Sequence, residues 1–393
     1  APIGTVFAMG EDGYVTPGAV GYDINCGMRL LTTNLTLKDI SPFLEKLINL
    51  LFEYVPAGVG QKGFLKVNKP ELKKLTEQGV PYLIYSKGIG WEKDIEKIEE
   101  KGFIENANFS SVSSEAIERG INQLATLGSG NHYLEIQKVD KIFDQKKAKD
   151  LGIYEKDQIT VMIHCGSRGF GHQICSDYLR IFEKNLSQYK IKINDRQLAC
   201  LPINSPFGKN YLEAMSCAAN FAFVNREAIT YQVRSVFEKV FHKSATSLQL
   251  NLVYDVAHNI AKLENHFGKK LLIHRKGATR SFPNQPVIIG GSMETGSYLL
   301  LGQEEALKKS YGSTAHGSGR TMSRAKAKKI IQGKQLWQKM KEKGILVKSA
   351  SFSGLAEEAG MAYKNITDVV ESINTAGLSK PIAYFKPIGN IKG

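Results

Sequence analysis

No apolar run in this 393-residue chain approaches the roughly 20 residues that a bilayer demands; stretches such as "SYLLLG" at 297–302 are short and bounded by polar residues. The start carries no signal-peptide pattern, and both absences point to a cytosolic location. The chain opens "APIGTVFAMG" without an initiator Met, as a fragment or processed product would. Cysteine is sparse: five residues at 26, 165, 175, 200 and 217, odd in number and with no CxxC pair, argue against a disulfide framework. Cysteine chemistry here would be metal or thiolate chemistry in a reducing compartment. There is no GxxxxGKS/T loop and no GxGxxG after a strand, so any nucleotide must be held in another way. No internal repeat, low-complexity tract or Pro/Ser-rich linker divides the sequence, which favours one large domain spanning 1–393. Acidic residues are also short, 38 against 52 Lys and Arg, and the resulting +14 at pH 7 favours a polyanionic partner.

What is present suffices for a core, since 42% of residues are hydrophobic. Short β-rich runs, "QITVMIH" (158–164), "KLLIHRKG" (270–277) and "QPVIIGGSM" (285–293), each run into a Gly-containing polar loop. Helical patterns lie at 114–126 with Ser114 as N-cap, at 171–186, near 212–241, and in a basic amphipathic segment at 323–343. The elements interleave without a regular βαβ rhythm. The expected class is therefore α+β, a mixed β-sheet core layered with helices.

Five of the eight histidines, His132, His164, His258, His274 and His316, fall at strand ends or in Gly-rich loops; His172, His242 and His266 have no such context. In "GYDINCGMR", Asp23 and Cys26 stand three apart between glycines, a spacing that can turn a carboxylate and a thiolate to one point. That donor set, with imidazoles, suits Mn²⁺, Fe²⁺, Co²⁺ or Zn²⁺. Alone, the motif is more often a turn with a buried free Cys. "GSGNHYLEIQ" (128–137) presents His132, with Glu135 following where a strand could alternate its faces. "IHCGSRGFGH" (163–172) ends a strand in His164, and its Gly-rich turn offers Arg168 and bare N–H groups as an anion nest. "DVAHNIAK" (255–262) offers His258, which would otherwise be a half-buried helical histidine. Together the motifs describe a metal centre facing phosphates. His316, in the polar and basic loop "STAHGSGRTMSR", is then placed to attack phosphorus as a neutral imidazole.

"GYDINCGMR", "LGSGNHYLEIQ", "IHCGSRGFG", "YDVAHNIAK", "HRKGATR", "GGSMETGSYLL", "HGSGRTMSR" and "KPIGNIKG" together resemble, in order, the RtcB-type RNA ligases of the tRNA-splicing ligase family. The match spans the chain and leaves out the family's further N-terminal segment. The resemblance implies a GTP- and Mn²⁺-dependent ligase, with two metal ions, acting in tRNA splicing or RNA repair. It joins an RNA 3′-phosphate or 2′,3′-cyclic phosphate to a 5′-hydroxyl through a guanylylated histidine and an RNA-3′-pp-5′-G intermediate. His316 matches the nucleophile. Asp23, Cys26, His132, His164 and His258 match the metal ligands, Cys26 bridging. Asn131, Glu135, Asn259, Ser292, Met293, Ser297, Gly319, Tyr363 and Lys392 match the GTP contacts, with Glu135 and Lys392 at the guanine edge and Tyr363 stacked on it. Arg119, Arg168, Arg320 and Arg324 match the residues around RNA phosphates, and an archease-type activator fits the family.

Two positions depart from the family pattern: Ser318 replaces a usual Ala, and Glu294 a usual Gly. A glutamate there is expected to resist a glycine-type backbone and to repel a triphosphate unless it turns outward. The rival reading is a ligation-deficient paralogue that binds, caps or hydrolyses RNA ends. A metallophosphatase would explain the metal ligands but leave Lys392 and the guanine set unused.

Overall fold

The computed structural model describes residues 1–393. Its main sheet is built from β1 (Gly27–Thr36), β2 (Tyr133–Ile142), β3 (Gln158–Cys165) and β4 (Asn251–Ala257). β5 (Asn259–His266) and β6 (Lys269–Lys276) form a smaller sheet with Thr5–Gly10, and the main sheet resumes with β7 (Pro286–Gly290) and β8 (Ser297–Gly302). Short β9 (Ser313–Ala315) stands apart, and β10 (Leu346–Ser349) and β11 (Ser379–Lys392) complete the main sheet. Its order is β7-β8-β11-β2-β3-β1-β4, antiparallel throughout, with β10 added parallel to the end of β11. The α+β class expected from the sequence holds.

Strand alternation divides the sheet into a packing face and a polar face. On β2, Leu134 and Ile136 join Ile159, Val161 and Ile163 of β3 in one apolar cluster. That cluster packs on α1 (Leu44–Tyr54) through Leu47, Ile48 and Leu51. Tyr133, Glu135 and Gln137 point the other way. The register pairs Tyr133 with His164 and Glu135 with Met162, so the chemistry-bearing side chains share one face. A one-residue slip would drive Glu135 into the apolar layer and expel residues each worth about 1.5–3 kcal/mol of burial, which pins the register.

Helices α2 (Ser114–Ile121) and α3 (Arg168–Asn185) precede the 36-residue α4 (Pro206–Phe241), about 54 Å long. Ser205 starts α4 by accepting a hydrogen bond from Gly208 N at 3.0 Å, with Pro206 at the first position. Its second half meets the main sheet through Ile229, Val233, Val236 and Phe237. The pattern at 114–126 ends early, at Ile121, and its cap is Ser113 rather than Ser114. The segment 323–343 is two helices, α5 (Arg324–Ile330) and α6 (Gly333–Glu342), broken at Ile331 and Gln332, whose backbones are extended. No helix is long and apolar enough to cross a membrane.

Candidate active site

Four loops meet where strands begin or stop. Cys26 precedes β1, His132 precedes β2, His164 is the penultimate residue of β3, and His258 follows β4. Register pairs Gly27 with both Cys165 and Ala257, and Tyr133 with His164, which brings these ends to one edge of the sheet. Cys26 Sγ lies 3.3 Å from His132 Nε2 and 3.3 Å from His164 Nε2; His164 Nε2 lies 3.3 Å from His258 Nε2, and Asp23 Oδ2 is 2.7 Å from His132 Nε2. Two triads result, Cys26–His164–His258 and Asp23–Cys26–His132, and they share the thiol. Metal–donor bonds of about 2.0–2.3 Å give donor separations near 3.3–3.8 Å in a tetrahedral site; the three 3.3 Å contacts around Cys26 and His164 meet that range, while Asp23 and His132, hydrogen-bonded at 2.7 Å, must part slightly to admit a cation. His258 is no helical histidine: it sits buried between two strands.

Close approach of backbone explains two glycines in these loops. A Cβ at Gly128 would overlap His132 Nδ1, and one at Gly166 would overlap the Asp23 carboxylate. The expected anion nest at 165–169 is already filled by protein: Ser167 N donates to Asp23 Oδ1 at 2.9 Å and Gly169 N to Gln123 Oε1 at 2.8 Å. Burial, then the neighbouring Asp23, pushes the Cys26 thiol up to about 12. Burial works against the Asp23 carboxylate, but His132 outweighs it and holds the group well below its ordinary range. Burial and adjacent imidazoles keep His164 and His258 neutral. Cation binding must therefore displace the Cys26 proton. Cys26→Ala, which removes the ligand both triads share, is expected to lower bound divalent metal at least twofold by metal analysis; unchanged occupancy would contradict the shared position.

Beneath the cluster lies a buried ionic frame that the sequence reading missed. Arg226, on α4, donates to the carbonyls of Asn25 and Cys165 at 2.8 and 2.9 Å and pairs with Asp255 at 2.8 Å. Arg29 pairs with Asp255 at 2.7 Å and with Glu227, and Arg234 with Asp94. The Arg226 bonds hold Asn25, a non-glycine at φ 54°, next to Cys26.

His316 follows β9, whose pairing with Ala278–Arg280 carries it to the cluster. Its ring stands edge-on to His258, centroids 4.9 Å apart. The loop is thus less open than its sequence implied. Burial lowers this imidazole to about 4, against a hydrogen bond with the Gly277 backbone, so it is neutral at physiological pH. It belongs to neither triad. His274, grouped with these histidines from sequence, is instead a fully buried mid-strand residue of β6 whose Nε2 accepts from Thr16 N at 3.4 Å.

Beside the cluster, the polar face carries a buried polar network. Glu135 accepts from Gln137 Nε2 at 2.7 Å and from Asn390, and Gln137 reaches Ser297 Oγ at 3.2 Å. Lys392 Nζ donates to Gly130 O at 3.0 Å. Tyr133 Oη, Gln137 Oε1, Asn390 Oδ1 and Ser318 Oγ are buried without partners, which leaves polar capacity for a ligand. Asn390 and Gln137 are further polar residues that alternation alone would have added, two positions from Lys392 and Glu135. The other expected nucleotide contacts divide. Asn131 borders His132 on the rim, and Gly319, at φ 71°, leaves open space at its Cα. Met293 is buried among Leu336 and Met340, leaving only its backbone for a ligand. Ser292 Oγ is engaged with Thr295 Oγ1 at 3.1 Å. Asn259 bridges Asp23 O (3.1 Å) and Gly277 N (2.8 Å), tying the metal loop to the segment under His316.

The arginines differ in availability. Arg119 is exposed, paired at 3.3 Å with Glu115. Arg168 points inward, to Thr126 Oγ1 at 3.1 Å and Gly58 O at 2.8 Å, and most of its guanidinium is committed to the scaffold. Arg320 and Arg324 converge on one buried carboxylate, Glu358, at 3.1 and 3.0 Å, and Tyr363 Oη donates to the same group. Glu358 had no sequence signal. It joins the residues expected at the base and at the RNA phosphates. Glu294 does not turn outward: it accepts from Gly360 N at 2.7 Å and pairs with Lys343 at 3.1 Å, so its charge is largely compensated. Its φ is not positive, and the expected glycine-type strain does not arise.

The profile of the family described as "tRNA-splicing ligase RtcB" matches residues 1–393. The tRNA-splicing ligase RtcB of Nanoarchaeum equitans is 51% identical over 410 aligned positions, covering 100% of this chain and 85% of the relative. Those of Archaeoglobus fulgidus and Methanococcus maripaludis are 48% and 47% identical with the same coverage. A thiol shared by two ligand triads, a neutral histidine against one of them and a buried polar network alongside thus sit in a chain that belongs to the RtcB family of tRNA-splicing ligases.

Proposed function

We propose that this RNA ligase works with GTP and Mn²⁺ through guanylylated His316, sealing RNA 3′-phosphate or 2′,3′-cyclic phosphate ends to 5′-hydroxyl ends. The observation that carries the reading is the neutral His316 ring set against His258 while remaining outside both triads. A manganese ion in each triad would neutralise phosphate oxygens and keep the Cys26 thiol ionised. His316 supplies the lone pair: a P–N bond forms to the α-phosphorus and pyrophosphate leaves. An oxygen of the RNA 3′-phosphate then breaks that bond, giving RNA-3′-pp-5′-G. The 5′-hydroxyl oxygen attacks the 3′-phosphorus, loses its proton and expels GMP. A cyclic end must first be opened by water.

Glu135 and Lys392 share the polar face of the paired strands β2 and β11, where a carboxylate can accept from guanine N–H groups and an ammonium can donate to its oxygen. Adenine reverses that edge, which supports a preference for GTP. Incubation with Mn²⁺ and α-labelled GTP tests the reading. Label should remain on the denatured protein in alkali and leave in acid, as a P–N bond requires; a protein that binds RNA but never takes label contradicts it.

Burial lifts the Glu135 carboxyl to about 7, against bonds from Gln137 and Asn390 and the charge of Lys392. Guanine donors need the ionised form, so binding takes up no proton above that value and must expel one below it. GTP affinity at fixed Mn²⁺ is therefore expected to rise with pH by up to tenfold per unit below about 7, then level. Calorimetric titration across that range checks it, and Glu135→Gln should flatten the profile.

A further inference from the structure

Between Ser323 and Lys348 the chain carries nine Lys and Arg and one acid, Glu342, a surplus of eight charges within a chain whose total is +14. Part of that surplus is paired with Glu294, Glu357 and Glu358, and part is left free on one surface. α6 buries Leu336 and Met340, and its exposed side carries Lys334 and Lys341, two turns apart, while exposed Lys348 of β10 shares a groove with Lys341. These three lysines form no ion pair, in contrast to Lys328, which meets Glu357 at 2.8 Å. Trp337 is half-buried, its indole N–H donating to Val347 O at 3.0 Å, and it lines a groove with Lys341 and Lys348. An aromatic flank among free lysines is the chemistry of a nucleic-acid backbone groove.

The surface is continuous with the active site. Arg324, the first residue of α5, lies so close to Gly130 that a Cβ there would stand 2.7 Å from its Nη2, and Asn131 and His132 follow directly. Lys343, at the other end of α6, pairs with Glu294 in the Ser292–Ser297 loop. α6 is about 15 Å long, enough to face several phosphates of a duplex, whose charge density along the axis is high.

We propose that the α5–α6 surface holds the sugar–phosphate backbone of the double-stranded RNA stem next to the break, without reading its sequence. The proposal rests on the RNA-ligase reading above and adds to it a site for the body of the substrate. It predicts that affinity grows with stem length, through lysines that touch neither end.

The test uses the full chain with Lys334, Lys341 and Lys348 all changed to Gln, residues outside the metal, nucleotide and nucleophile positions. Binding is measured directly, without catalysis, to a stem–loop RNA with a 3′-phosphate and to a short single-stranded RNA with the same end. The triple variant should bind the stem–loop on the order of 10- to 100-fold more weakly at low salt, with the slope of log affinity against log salt reduced by up to about 3. The short RNA and self-guanylylation should be unchanged. The same three positions changed to Arg should retain stem binding, which separates charge from misfolding. Unchanged stem affinity and salt slope in the Gln variant would overturn the proposal, as would equal weakening for both RNAs. Stem affinity retained while binding of an acidic protein is lost would make the surface a protein-docking face and likewise overturn it. Failure of the wild type to join ends, with stem binding still dependent on these lysines, would reject the ligase chemistry and leave the docking surface standing.

Discussion

Given Mn²⁺ and GTP, the His316→Ala protein is expected to gain no GMP while its metal content stays near that of the parent. The two halves of this result have separate causes. His316 lies outside both ligand triads, so deleting its ring removes no metal donor. Its ring is nevertheless edge-on to His258 at 4.9 Å, and burial keeps it neutral, the state that offers a lone pair to phosphorus. Backbone placement should survive, since β9 is fixed by its pairing of Ala315 with Ala278 and Thr314 with Thr279. Labelling should therefore fall to background, not by a modest factor, because no other nucleophile holds that position. Intact-protein mass spectrometry with metal analysis on the same sample checks it. A His316→Ala protein that still gains the mass of GMP removes His316 from its role; one that loses metal makes it a ligand.

Asp255→Asn should cost about 3–5 kcal/mol of stability, although it is shape-preserving and touches no ligand. Asp255 sits fully buried between Arg29 and Arg226, in a frame of three arginines and three carboxylates completed by Arg234, Glu227 and Asp94. Neutralising one carboxylate leaves a buried guanidinium charge uncompensated. The frame has nothing in reserve, because Arg29 Nη2 and Glu227 Oε1 already lack hydrogen-bond partners. Since Arg226 also holds the carbonyls of Asn25 and Cys165, the metal loop should loosen as well. Urea unfolding of the metal-free proteins measures the first effect and Mn²⁺ titration the second. A loss below about 1 kcal/mol with unchanged metal affinity would show that the frame does not support the loop.

The sequence was most legible where a pattern is local. The run at 158–164 became β3, one residue longer, and the run at 270–277 became β6, because alternation and a following glycine are sufficient for such strands. The run at 285–293 stopped at Gly290, where a tight Gly291–Gly296 turn takes over. The helix at 323–343 broke for a tertiary reason: a Cβ at Gly333 would overlap the Phe352 carbonyl, so the chain enters α6 where only glycine fits. Motif recognition located Asp23, Cys26, His132, His164, His258 and His316. It could not supply what holds them, since Asp255, Arg226 and Glu358 are ordinary charges in sequence and acquire meaning through partners such as Arg226 with Asp255, 29 residues apart, Arg29 with Asp255, 226 apart, and Arg320 with Glu358, 38 apart. Arg168 shows the reverse relation: a cation in a Gly-rich loop reads as free in sequence, and folding turns part of its guanidinium toward Thr126 and Gly58.

The most direct test of the account is the complete reaction on two RNA strands, one ending in a 3′-phosphate and the other beginning with a 5′-hydroxyl, with GTP and Mn²⁺ supplied or withheld. Joined RNA is expected only when both are present, with one GMP released per junction, the junction phosphorus coming from the 3′-phosphate, and no joining by the His316→Ala protein. Joining without GTP, or a junction phosphorus derived from the nucleotide, would contradict it.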